Sequence, residues 1–250
     1  GTLTMNGGVF ENNTAYAGGA VSAKTGTSST FVGTVFKNNT ATCPQSGGLG
    51  GGAIIANAGT LSISGATFEG NSAEYYGGAI SARGETVEIK DNTIFKNNVG
   101  VTGTALHLRD GGVATLNNVS FTGHAHQAGN GTVYITGDGT LNMTDVTATG
   151  NENGNGGILY ASGAAKVSFT GGTYTGNKAY ANGGVIDYRA SGGLTVSGGT
   201  YSGNTAVKGG VLHVSGSTVN ATVKDKAQFN NNSATNGGAV YLEKMDKRAT

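Results

Sequence analysis

Short runs of alternating apolar and polar residues recur along the whole chain, separated by Gly and Asn. In "TLTM", "TLSI", "VEI", "TLNM", "KVSF" and "LTV" the apolar side chains stand two apart: Leu3 and Met5, Leu61 and Ile63, Val87 and Ile89, Leu141 and Met143, Val167 and Phe169, Leu194 and Val196. A period of two places each pair on one face of a β-strand, and no stretch carries the three-four spacing of an amphipathic helix. A second β-rich segment surrounds an aromatic anchor, and a third follows a glycine pair. In the third, Val21, Ile54, Ile80, Leu106, Tyr134, Leu159, Ile186, Leu212 and Val240 form one apolar column expected to face inward.

The three segments recur as nine units, anchored at Phe10, Phe36, Phe68, Phe95, Phe121, Ala148, Tyr174, Tyr201 and Phe229. Anchors are 26 to 28 residues apart except for one step of 32, where "TATCPQSGGLG" (Thr40 to Gly50) holds the only Pro and the only Cys. Three short strands in about 27 residues fit one turn of a parallel β-helix, in which equivalent residues of successive turns stack about 4.8 Å apart. The reading is an all-β domain over residues 1–250, with about nine coils of three short strands and a longer loop at 40–50.

The fixed positions have a chemical rationale. Two residues after each anchor stands Asn12, Asn38, Gly70, Asn97, Gly123, Gly150, Gly176, Gly203 or Asn231, the residue types that tolerate positive φ, so a left-handed bend is expected there. The next position reads Asn13, Asn39, Asn71, Asn98, His124, Asn151, Asn177, Asn204 and Asn232. A side-chain amide there can bond both the bent backbone and its counterpart on the next coil, which makes these residues a structural ladder. The glycine pairs mark a second corner, where a Cβ would crowd neighbouring backbone.

Composition narrows the function classes. Only 36% of residues are apolar, which suits a narrow axial core, and 47 glycines without a three-residue period exclude collagen. A net charge of +1 with 12% charged residues gives no electrostatic footprint for nucleic acid or an anionic membrane surface. The single Cys43 rules out an intrachain disulfide framework and a cysteine-based zinc site, and no apolar run suggests membrane insertion by this segment. No cofactor motif is present.

"FENN...GGAV", "FEGN...GGAI" and "FNNN...GGAV" resemble the F-x-x-N and G-G-A-[ILV] repeat of the chlamydial polymorphic outer membrane proteins and related surface β-helix proteins. Degenerate versions cover all nine units, weakening to "FTGH...GTV" and "ATGN...GGI" in the middle. The resemblance implies a right-handed single-stranded β-helix displayed outside the cell or on its surface and used for adhesion. The family's middle and barrel domains have no counterpart here, and no site residues carry over beyond the repeat.

Enzymes acting on polysaccharides share this fold class, so candidate chemistry was sought by coil position. One outward column is expected to read Ser22, Ile55, Ser81, His107, Ile135, Tyr160, Asp187, His213 and Tyr241. Tyr160, Asp187, His213 and Tyr241, with Arg189 nearby, form its most functional-looking stripe. Asp187 one rung from His213 could orient an imidazole, but no second acid stacks with Asp187 as a paired-carboxylate hydrolase requires. The stripe reads as a solvated column of mixed residues or as a surface for a protein or glycan. His124 and His126 have a spacing that could hold a metal weakly, but the ladder position of His124 favours a hydrogen-bonding role, and no metal site is assigned. Arg83 and Arg109 stack and are expected to face water near Glu85 and Asp110. Cys43 has no His beside it in the repeat register and reads as an incidental thiol. Sequons at Asn12, Asn38, Asn118, Asn130, Asn142, Asn220 and Asn231 are what the composition would produce, and threonines such as Thr147, Thr173, Thr175 and Thr200 do not make an unbroken ice-binding array.

Three functions compete. The first is a non-catalytic surface adhesin or stalk that presents outward residues to a protein or glycan on a host, neighbour or matrix. The second is a filament subunit stacking on itself end to end, suggested by whole coils without a capping helix, unless the charged tail "EKMDKRAT" blunts one end. The third is a carbohydrate-active enzyme on the same scaffold.

Overall fold

A computed structural model describes residues 1–216 and 219–244; the tail from residue 245 onward lies outside the described residues. The chain winds into a parallel β-helix with three nine-stranded sheets, one strand per coil in each. The first sheet runs from Thr2–Asn6 to Ala221–Lys224, the second from Val9–Glu11 to Gln228–Asn230, and the third from Val21–Ala23 to Val240–Glu243. Register follows the repeat. Phe10 pairs with Phe36, Phe36 with Phe68, Phe68 with Phe95 and Phe95 with Phe121, all in parallel.

Each anchor turns inward and stacks on the next. Ring centroids from Phe10 through Phe121 are 4.7 to 5.0 Å apart, and after a gap at Ala148 the ladder resumes from Tyr174 to Tyr201 at 4.8 Å and Phe229 at 5.1 Å. The period-two pairs of the first sheet are buried beside them from the second coil to the eighth, whereas Leu3 in the first coil is 43% exposed and Val223 in the ninth 45%.

Both corners form as the sequence requires. All nine positions two residues after an anchor have positive φ, from 53° at Asn38 and Asn97 to 68° at Gly123. At the glycine corner a Cβ on Gly19 would sit 2.2 Å from the Gly52 carbonyl oxygen, closer than any side chain allows. In the ladder, Asn71 donates through Nδ2 to the Asn98 Oδ1 and to the Phe36 carbonyl, each at 2.9 Å, and its Oδ1 accepts from the backbone and side chain of Asn39 at 3.0 and 2.9 Å. One amide thus ties three coils together. His124 stands in for Asn as expected: its Nδ1 lies 2.9 Å from Asn151 Oδ1 and its Nε2 3.2 Å from Asn98 Nδ2. Both ring nitrogens are committed to the ladder, so His124 has no lone pair for a metal shared with His126.

Two features go beyond the sequence reading. A fourth, shorter face lies between the Asn corner and the glycine corner, with three strands (Thr14–Ala15, Thr40–Ala41, Ser72–Ala73) and five more from Ala125–Asn130 to Ser233–Asn236. The fifth coil is also one residue short at the glycine corner: "GTV" replaces the four-residue pattern, and the Thr132 carbonyl accepts the Leu106 N–H as the Ala105 carbonyl accepts that of Ile80 one coil earlier. Val133 therefore pairs with Leu106 in the inward column and Tyr134 faces outward beside His107, the reverse of the expected Tyr134 inward and Ile135 outward. Ile135 is fully buried.

The hydroxyls of Tyr174 and Tyr201 are buried without a hydrogen-bond partner, and burial raises the pKa of both phenols. An unsatisfied buried hydroxyl costs about 1–3 kcal/mol. Tyr201→Phe is accordingly expected to raise the urea midpoint by an amount worth about 1 kcal/mol, and a lower midpoint would show that the hydroxyl has a partner.

Candidate functional site

The glycine corner bends sharply enough to turn the outer surface of the third sheet toward that of the fourth face. The third-sheet column runs Ser22, Ile55, Ser81, His107, Tyr134, Tyr160, Asp187, His213, Tyr241. Across the corner, the residues just before each left-handed glycine include Tyr76, Thr102, Asn130, Asn155, Asn182 and Lys208. The two columns meet side chain to side chain. Tyr76 stacks on His107 at 4.9 Å, Arg189 Nη2 reaches Asn155 Oδ1 at 3.4 Å, and the Lys208 ammonium lies 5.3 Å from the Tyr241 ring centroid. The result is a shallow groove along the rod.

This geometry corrects the reading of the column as solvated. Ser81, His107 and His213 are each 2% exposed and Asp187 is wholly buried, because the opposite wall covers them. Tyr134, Tyr160 and Tyr241 stay half-buried and offer ring surface to the groove.

The expected stripe is brought together. Asp187 is held by Arg189, with Nε 3.1 Å from both carboxylate oxygens and Nη2 2.7 Å from Oδ2, and His213 Nδ1 lies 2.7 Å from Oδ1. Arg189 also covers the Tyr160 ring at 5.2 Å, and Tyr241 stacks on His213 at 5.8 Å. A second acid, which the sequence reading did not find, completes the cluster. Glu243 Oε2 lies 3.4 Å from His213 Nε2, and its carboxylate takes Lys208 Nζ at 3.0 Å, so Lys208 first and His213 second hold the Glu243 carboxyl below its ordinary range. Glu243 stands two residues beyond Tyr241 and so belongs to the next outward column; comparing adjacent columns would have found it.

Also missed was an outward amide ladder. Asn155 Nδ2 donates to Asn130 Oδ1 at 3.0 Å and Asn182 Nδ2 to Asn155 Oδ1 at 3.1 Å. Its signal was a recurring Asn-Gly at the glycine corner, at Asn130, Asn155, Asn182 and Asn236.

At the other end of the groove Arg109 does not face water as expected. It turns beneath the insertion, where Nη2 donates to the Gly48 carbonyl and the guanidinium covers Tyr76 at 5.3 Å. Arg83 pairs with Asp110 at 2.5 Å, whereas Glu85 is buried, accepts the Gly59 N–H at 2.9 Å and has its pKa raised by that burial. His107 is held down to about 3, chiefly by burial and then by Arg109, and is a neutral imidazole at physiological pH. Cys43, within this insertion, is buried.

Residues 3–151 match the model of a family described as "Right handed beta helix region". The chain belongs to the right-handed β-helix family. That hand agrees with the general rule for crossovers between parallel strands. Residues 226–243 of this β-helix match the Chlamydia polymorphic membrane protein repeat, over the ninth coil, where "FNNN" and "GGAV" both stand intact. No curated protein and no solved structure matches it significantly. Among the described residues, no helix is long and apolar enough to cross a membrane, and no group of three or more His, Cys, Asp or Glu is placed to hold a metal.

Proposed function

We propose that this β-helix is a non-catalytic, surface-displayed stalk whose groove on the third sheet engages a protein or glycan on a host cell, a neighbouring cell or the matrix. The repeat match at residues 226–243 supports an extracellular or cell-surface setting. The carrying observation is the contrast between columns. The inward ladders keep one kind of side chain from coil to coil apart from His124 and Ala148, whereas the third-sheet outward column changes residue type at every step but Tyr134 to Tyr160 and gathers Tyr134, Tyr160, Arg189 and Tyr241 on one open face. Half-exposed aromatic rings beside arginines are the side chains that dominate recognition surfaces.

The Asp187–His213–Glu243 array favours recognition over catalysis. Both imidazole nitrogens point at carboxylates and both Asp187 oxygens are taken, so neither Asp187 nor His213 presents a free atom to a substrate. The cluster instead locks the groove floor.

Fluorescently labelled full chain is expected to bind fixed host cells or matrix saturably, and Tyr134→Ala with Tyr160→Ala to weaken this at least tenfold. The control Thr115→Ala, on the exposed face of the first sheet, should bind as wild type. Equal binding by the double variant would sink the assignment to the groove. Release of new reducing ends or unsaturated products from polyuronate or neutral glycans would replace it with the enzymatic reading, and long rods in electron microscopy would favour end-to-end assembly.

A further inference from the structure

The second sheet changes character along its length. Its outward positions flank each aromatic anchor. In coils one to four the position before the anchor holds Val9, Val35, Thr67 and Ile94, and the position after it Glu11, Lys37, Glu69 and Lys96, each stacked on the next in parallel register. From coil five the same two positions turn to hydroxyls, Ser120 with Thr122 and Thr147 with Thr149. Val9 is 59% exposed and Ile94 41%. Apolar surface gains nothing from contact with water, and the hydroxyls one coil further on show that the fold itself does not require it.

Beside this apolar column the charges alternate in sign and cancel. Within the chain, Lys37 Nζ lies 3.7 Å from Glu11 and Lys96 Nζ 3.4 Å from Glu69, with all four side chains 38–49% exposed. Exposed pairs of this kind are worth about 0–1 kcal/mol, and an ammonium has three donors, so both signs stay open to a further partner. An alternating strip of four charges is its own complement when reversed. A two-fold axis parallel to the strands, between coils two and three, sets Glu11 against the partner's Lys96 and Lys37 against the partner's Glu69, and each contact occurs twice. That rotation also keeps column against column, so Val9 meets the partner's Ile94 and Val35 the partner's Thr67. An axis along the rod would set the apolar column against the charged one, and an axis on a coil would oppose like charges. The charge order therefore fixes both direction and register.

We infer that the outer face of the second sheet in coils one to four is a self-pairing surface, on which a second copy of this chain lies side by side and antiparallel. Four coils about 4.8 Å apart and a strand three residues wide give a contact on the order of 300 Å² per partner. That is well below the roughly 800 Å² of a stable complex, so the pair is weak and forms where many chains are held close together. Antiparallel rods suit stalks that project from two opposed surfaces, a role that rests on the proposed surface display; the pairing itself does not.

Sedimentation equilibrium of the full chain tests this. A monomer–dimer equilibrium with a Kd on the order of 0.1 mM is expected for so small a contact. It should weaken at least threefold in about 1 M salt, where the Debye length falls to about 3 Å. Glu11→Lys with Glu69→Lys makes the strip wholly positive, and Lys37→Glu with Lys96→Glu makes it wholly negative. Each variant should be monomeric alone, and mixing the two should restore dimers at least as tight as those of the wild type. Lys166→Glu, on the exposed face of the first sheet, should pair as wild type. Register is read with a bismaleimide spanning about 10 Å, the spacing of packed sheets. Val9→Cys with Ile94→Cys should give a linked dimer, and Val9→Cys alone should not, because the partner's Val9 lies about 14 Å further along the rod. A monomer at chain concentrations on the order of 1 mM, salt-independent pairing, self-association of a reversal variant, a mixture that does not pair, or linking by Val9→Cys alone would each overturn the inference. The wild-type equilibrium and its salt dependence decide even if a reversal variant fails to fold. Should pairing fail while cell binding persists and needs Tyr134 and Tyr160, this inference falls and the stalk reading stands; should pairing hold without cell binding, only the stalk reading falls.

Discussion

Asn71→Ala is expected to lower unfolding stability by roughly 3–5 kcal/mol, the sum of several orphaned buried groups at about 1–3 kcal/mol each. Asn71 Nδ2 donates to the Phe36 backbone carbonyl and to Asn98 Oδ1, and Asn71 Oδ1 accepts the Asn39 backbone and side-chain N–H groups. Alanine removes the partner of the Phe36 carbonyl and of both Asn39 donors, while Asn98 Oδ1 keeps only the residue-71 backbone N–H, at a site wholly closed to water. Urea denaturation followed by far-UV circular dichroism measures the effect. Because a solenoid is stabilised coil by coil, the loss should appear first as early opening of coils two to four, visible as faster amide exchange around Asn39 and Asn98. Asn71→Asp should be as damaging, since it keeps the acceptor but loses both donated bonds and buries a charge. A change below about 1 kcal/mol, within the range of an ordinary surface substitution, would refute the ladder as a principal tie between coils.

The second large effect is acid sensitivity centred on coils four and five. His124 has its pKa lowered to about 4, by burial above all, with its bond to Asn151 acting in the opposite direction. The unfolded chain therefore takes up this proton first, at its ordinary value of 6.5. Between these two values the unfolded state binds more protons, so stability is complete above pH 6.5 and falls as pH drops toward 4. At about 1.4 kcal/mol per pH unit the loss reaches roughly 3 kcal/mol. Its structural cause is definite, because Nε2 must accept from Asn98 Nδ2 and a protonated nitrogen cannot. His107, held near 3, adds to the same trend down to lower pH. His124→Asn removes the first contribution and restores an amide that can also reach the Phe95 carbonyl, as its neighbours in the ladder do. Its advantage over wild type in urea midpoint should widen as pH falls below 6.5 and level off below 4. A pH-independent difference would show that His124 does not titrate with unfolding.

Much of the fold was legible because the β-helix repeats its constraints. Nine copies of a left-handed bend restrict that position to Asn or Gly, nine stacked corners favour an amide, and nine inward positions select rings or a small substitute such as Ala148. Repetition turns weak local signals into a firm one. The misreadings came where a local count changed or where distance across a corner mattered. One missing residue before Val133 moved Tyr134 from core to groove, since a single-residue slip in a strand exchanges its two faces. Glu243 and Lys208 joined the Asp187 cluster from a neighbouring column and from the opposite wall.

The opening pattern of alternating pairs, aromatic anchors and double glycines determined by itself that the chain coils, where it bends and that amides at the left-handed corner tie the coils together. Each of those choices is made within one unit and repeated. Which outward residues are exposed was decided only by the tertiary structure. The angle at the glycine corner brings two outward faces into contact, buries Asp187, His107 and His213, and leaves a lane of tyrosines open. Period-two alternation tells which side of a strand a residue takes; what stands across from that side depends on the bend between sheets, and no single strand encodes it.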